Sequence, residues 1–154
     1  MRLNLNERAE LRGHVRVVLK DRDGNVVEQI EQDNLVVDAG RNLLRDFLLG
    51  NTVSGLNYIA IGTGTSEPLP TDTQLENEID RRTFSAVTSG NRYIKISAFY
   101  TFDEVNTTIT EAGLFGNGAT ADPNTGTLYA RTLFATPIVK TPDTTLTIEW
   151  TLNF

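Results

Sequence analysis

At 154 residues, with a net charge of −6, 39% hydrophobic side chains and no cysteine, the chain is sized for one domain that buries its core without disulfides or thiolate metal sites. Its acidic balance argues against a surface built to neutralise nucleic-acid phosphates, and a single histidine, His14, removes most zinc and triad chemistry. No run approaches the ~20 apolar residues that span a bilayer and no apolar leader opens the chain, so a soluble protein made in a cytoplasm is expected, with neither membrane nor nucleic acid as partner.

Residues 1–10 (MRLNLNERAE) alternate weakly, Leu3 and Leu5 standing among Arg2, Arg8, Asn and Glu. They read as an N-terminal arm, either a free tail or a segment that orders on a neighbour. From Leu11 the pattern sharpens. Val15, Val17 and Leu19 alternate with Arg16, Val18 and Lys20 as a strand, residues 21–25 (DRDGN) turn, and residues 26–30 return as the second arm of a hairpin. That hairpin, within 11–33, is able to protrude from the domain.

Asp38 is expected to N-cap a helix over residues 39–49, with Gly50 as its stop. Leu43, Leu44, Phe47 and Leu48 form one apolar stripe, for which a sheet is the obvious partner. Residues 56–61 read as a strand ending in Gly62-Thr63-Gly64-Thr65. After a proline-bearing loop, Thr71 or Asp72 is expected to cap a short helix over residues 73–79, closed by Arg81 and Arg82.

The remainder is strands. Residues 83–88 lead through Ser89-Gly90-Asn91 into 92–102, where Ile94, Ile96, Ala98, Tyr100 and Phe102 share a face. Residues 107–116 (TTITEAGLFG) begin as a strand that Glu111, Ala112 and Gly113 interrupt, a pattern suited to close approach by another strand or subunit. Residues 116–126 form a loop rich in turn formers, and 127–136 are extended, with Pro137 marking an edge or bend. Last, Leu146, Ile148, Trp150, Leu152 and Phe154 alternate without a fault, which puts Trp150 in the core and predicts a C-terminus docked by a buried Phe154.

Hairpin-joined strands with one helix and no βαβ rhythm predict a mainly β chain, an antiparallel β-sandwich or open barrel with one packed helix over 39–49. The arm 1–10 is followed by a single β-rich domain, 11–154.

Candidate chemistry is sparse. Asp21-Arg22-Asp23-Gly24-Asn25 resembles the start of a calcium loop, but its glycine is fourth and its twelfth position is Gln32, so it reads as a turn. Gly62-Thr63-Gly64-Thr65 lacks the Lys-Ser/Thr of a phosphate loop and reads as a strand-ending turn. Glu76, Glu78 and Asp80, and again Asp103 and Glu104, read as solvated acidic faces, and no serine has a nucleophile-elbow context. No catalytic, metal or cofactor residue is assigned. Glu111 reads either as an exposed position on an edge strand or as a carboxylate buried at an interface with Arg81, Arg82 or Arg131. The interface candidates are Arg2, Leu3, Leu5, Arg8, Glu111 and Gly113.

Five blocks in order carry a resemblance: NLVVDAGRN from Asn34, YIAIGTGT from Tyr58, DTQLENE from Asp72, ITEAGLF from Ile109 and LTIEWTL from Leu146. This succession, from Asn34 to the end, resembles small tailed-bacteriophage structural proteins of the tail-fibre and minor-structural group. The resemblance implies a non-enzymatic virion component, without cofactor, working as a homo-oligomer such as a trimer alongside other phage structural proteins. Three stations stay open: a tail-associated part in a fibre base or baseplate, a capsid decoration protein clamping capsid subunits with residues 1–10, and a glycan-binding module using residues 116–126 with Tyr129 on a host receptor.

Overall fold

The structure, a computed structural model, describes residues 11–154. The arm, with the interface candidates Arg2, Leu3, Leu5 and Arg8, lies outside the described residues. In chain order the elements are β1 (Arg12–Lys20), β2 (Val26–Asp33), β3 (Leu35–Val36), α1 (Asp38–Leu48), β4 (Leu56–Gly62), β5 (Glu78–Thr83), β6 (Ala86–Gly90), β7 (Tyr93–Tyr100), β8 (Thr108–Gly116), β9 (Thr127–Val139) and β10 (Thr145–Asn153). They form two five-stranded antiparallel sheets, β2-β1-β10-β7-β6 and β3-β9-β8-β4-β5. Of the two expected architectures, the chain therefore adopts the sandwich.

The alternating strands supply the layer between the sheets. Leu146, Ile148, Trp150 and Leu152 of β10 are buried, and register sets Val15 and Ile96 on either side of Trp150. The Trp150 indole N–H donates to Asn34 Oδ1 at 3.1 Å, so its one polar atom is satisfied as the ring is buried. Opposite, β4, β8 and β9 contribute Ile59, Ile61, Ala112, Leu114 and Ala130. The hairpin β1–β2 does not protrude as a unit: β1 lies inside its sheet, paired with β10 as well as β2.

The second sheet is buried on its other face too. Val37, Ala60, Leu75, Phe115, Ala119 and Leu128 form a separate cluster, with Leu75 and Ala119 coming from the loops 63–77 and 116–126. Double-sided burial explains why β8 reads as a continuous run from Glu111 onward. What looked like an interruption is the middle of an unbroken central strand. At its start the ladder slips. Ile109 faces Ile138 and Glu111 faces Leu133, so five steps along β9 answer two along β8, and Pro137 falls within that bulge.

Four local expectations are corrected. The helix begins at Asp38, with Val37 at the N-cap position and no side-chain cap; the Asp38 N–H donates to the Pro70 carbonyl at 2.8 Å instead. Its apolar stripe is only partly covered: Leu43 and Leu44 are half-buried. A Cβ at Gly40 would run into the Tyr129 carbonyl oxygen, so α1 touches β9 through its glycine, while Phe47 and Leu48 stay 67% and 76% exposed. No helix forms over residues 73–79: residues 78–83 are the edge strand β5, and the amides of Glu76 and Asn77 are held by Glu111. Phe154 is 49% exposed; its backbone N–H donates to the Arg92 carbonyl, so the C-terminus is tethered by backbone while the ring stays open.

Candidate functional site

The densest polar chemistry lies on the outer face of the second sheet. Register pairs Gly113 with Arg131 and Glu111 with Leu133, which makes Glu111 and Arg131 diagonal neighbours on one face. The Glu111 carboxylate is fully buried and accepts from five N–H groups: Gly64 at 2.9 Å and Asn77 at 2.8 Å on Oε1, and Glu76 at 3.2 Å with Arg131 Nε at 3.1 Å and Nη2 at 2.8 Å on Oε2. Arg131, 2% exposed, turns its other donors to Asp72 Oδ2 and the Ser66 carbonyl, both at 2.9 Å. One carboxylate and one guanidinium thus pin both ends of the loop 63–77.

The segment Gly62-Thr63-Gly64-Thr65 cradles an anion after all, but the anions are the chain's own. Beyond the Gly64 contact, the Thr65 and Ser66 amides donate to Glu76 Oε2 at 2.7 Å each, with the Ser66 hydroxyl at 2.6 Å. These bonds, the Ser66 hydroxyl foremost, hold the Glu76 carboxyl below its ordinary range. A Cβ on Gly64 would lie 2.5 Å from Glu111 Oε1, so glycine is what lets the backbone approach.

A second pin holds the loop 116–126. Arg81 and Glu78, each with a side chain 1% exposed, form a forked pair. Arg81 Nη1 also donates to the carbonyls of Thr120 (3.1 Å) and Thr125 (3.0 Å), and Glu78 Oε2 accepts from the Asn124 N–H at 2.8 Å. The guanidinium stacks over Phe115 at 4.5 Å. The acidic clusters are therefore not simply solvated faces. Glu78 is buried, Asp80 and Glu104 both meet Arg82, and Glu104 also takes the Thr101 N–H at 2.7 Å.

Such an arrangement organises loops. A carboxylate engaged by five donors and sealed from solvent has no open lone pair for a substrate proton. Among the described residues, no three His, Asp or Glu side chains converge to hold a metal ion. The interface assignments of Glu111 and Gly113 are corrected accordingly. Glu111 has the arginine partner expected of it, Arg131, but within its own chain and on a central strand. Gly113 is approached by Leu75, whose Cδ2 would sit 2.9 Å from an added Cβ, not by another subunit.

Two surface features escaped the sequence reading. The first is a groove of ≈ 230 Å³ under α1, lined by Leu43, Leu44 and Phe47 together with Leu56, Ile94 and Leu152 and closed at one side by Phe154. Tyr129 lies in its wall and is 6% exposed, so its ring presents no open face beside the loop 116–126. The second is the edge of β6. All five of its residues are exposed, and Val87, opposite buried Ile96 and so on the core-facing side, is 60% exposed because the sandwich is open there. An apolar stripe at helical spacing hinted at the groove; nothing in AVTSG distinguished an edge from an inner strand.

Compared with known proteins, the chain matches no family model, no curated sequence and no solved structure.

Proposed function

We propose that this chain is a non-enzymatic structural component of a tailed-phage virion, tail-associated in a fibre base or baseplate, that assembles with copies of itself and with neighbouring structural proteins through strand edges. The observation that carries the assembly reading is the unguarded edge of β6. Natural sheets protect edges with charge, proline, bulges or very short strands. Here β2 carries Glu28, Glu31 and Asp33, β5 carries Glu78, Asp80, Arg81 and Arg82, and β3 is two residues long. β6 is Ala-Val-Thr-Ser-Gly, without charge or proline, paired on one side only among the described residues. A partner strand added there would complete its ladder and cover Val87, and a ring such as a trimer would close the set. The ordered resemblance of five sequence blocks supports the virion as the setting.

Sedimentation of the purified chain and gold-labelled antibody on intact particles test this together. Self-association that Val87→Lys abolishes, with label on the tail, is the expected result. A chain that stays monomeric at every concentration and is missing from particles would overturn the reading, and label on the head would move it to the capsid.

A further inference from the structure

We propose that the apolar groove under α1 is the docking site of this chain's own residues 1–10, folded back within the same molecule. The inference goes beyond the assembly reading and does not rest on it.

Three observations converge on that occupant. First, the groove is apolar and open: of the side chains that line it, Phe47 is 67% and Phe154 49% exposed. An open apolar groove of this kind calls for a cover. Second, the described chain begins at its rim. Arg12 pairs with Asn153, so one step further the register sets Leu11 beside Phe154, a groove residue, at the ~5 Å spacing of neighbouring strands. Leu5 lies six positions before Leu11, and at ~3.3 Å per position that stretch reaches ~20 Å, ample to cross a groove that starts one strand away. Third, the chemistry is complementary. Leu3 and Leu5 alternate with Asn4 and Asn6, offering two apolar side chains on one face and amides on the other. Arg2, Glu7, Arg8 and Glu10 flank that face with balanced charge, so the fit to an apolar groove rests on the two leucines.

The lack of native cysteine makes the test clean. Leu5→Cys is combined with Phe47→Cys in the full chain and treated with a short bismaleimide; Phe47 is largely exposed, so its replacement spares the fold. Leu5→Cys with Val27→Cys, on the exposed edge strand near the far hairpin tip, is the control. The expected result is a link within one chain, in a yield that dilution does not change and well above the control. In a parallel full-length variant, Leu3→Ser with Leu5→Ser, fluorescence of a hydrophobic dye should rise several-fold and fall back when Phe47→Ser is added. Links joining two chains would show that a second copy fills the groove and overturn the proposal. So would a yield no higher than the control together with dye binding equal to wild type. Neither result bears on whether β6 drives assembly, which the Val87→Lys variant reads separately.

Discussion

Arg131 and Glu111 meet diagonally across β8 and β9, Nη2 to Oε2 at 2.8 Å, with their side chains 2% and 0% exposed. They lie on the face of the second sheet that faces away from the first, where an antiparallel sheet commonly meets water. What shields them is the loop they hold. Breaking a buried pair from one side strands the other charge, so Glu111→Ala should cost about 3–5 kcal/mol in urea unfolding. The double variant Glu111→Leu with Arg131→Met should lose less than the two single losses added together. It should remain less stable than wild type, because the amides of Gly64, Glu76 and Asn77 lose their acceptor. Strict additivity would show that the two side chains act independently.

Gly113→Ala tests how tightly that loop is seated. The new methyl would meet Leu75 Cδ2 at 2.9 Å and Leu128 Cδ1 at 3.0 Å, so Leu75 must withdraw. A loss of about 1–3 kcal/mol is expected, partly recovered when Leu75→Val makes room. Equal stability of Gly113→Ala and wild type in chemical denaturation would mean that Leu75 is not packed there.

Trp150 separates packing from hydrogen bonding. Trp150→Ala should cost ~3–5 kcal/mol as a cavity opens between the sheets. Trp150→Phe keeps a ring and removes the bond to Asn34, for which ~0.5–1.5 kcal/mol is appropriate beyond the volume change. Melting of the alanine variant within a degree or two of wild type would contradict the placement.

Acid should loosen the loops before the core. Hydrogen bonds hold the Glu76 carboxyl below its ordinary value of 4.5, the Ser66 hydroxyl first; Glu104 is lowered likewise, chiefly by the Thr101 amide and then Arg82. A carboxyl that binds its proton less readily when folded stabilises the fold above its unfolded value and loses that contribution as pH falls through its folded one. Stability should therefore decline below about pH 4.5, and Glu76→Gln should flatten that decline while lowering stability at neutral pH. An acid limb identical in the variant and wild type would assign the loss to other groups.

The edge strand gives the sharpest surface prediction. Val87→Lys replaces an exposed side chain and should change monomer stability by no more than about 0.5 kcal/mol. Its effect should appear in sedimentation, as lost self-association. An unchanged oligomer would free β6 of that role.

Period and turn chemistry made much of the fold legible. The alternation of β10, the DRDGN turn with Gly24 at φ +82° and the helix stop at Gly50 at φ +75° follow from local rules that tertiary contacts did not overrule. Residues 73–79 went the other way. Their acidic opening suits a helix start, yet the Glu76 and Asn77 amides are claimed by a carboxylate that lies 35 and 34 positions further along the chain. No local pattern reports such a partner. The candidate site was legible only in part: Glu111 and Arg131 could be named as a pair, but whether one chain or two supplied them depended on which face the loop 63–77 would cover.

The sequence alone determined that this is a disulfide-free, mainly β chain with one amphipathic helix and a tryptophan in its core, because those properties rest on composition and on side-chain period. Only the tertiary structure decided that both faces of the second sheet are buried, that its charged residues clamp loops, and that Phe47 and Leu48 of the helix stripe and the edge of β6 are left open by the described residues. Burial is settled by what lands on a surface from elsewhere in the chain, and strand spacing along the sequence carries no record of that.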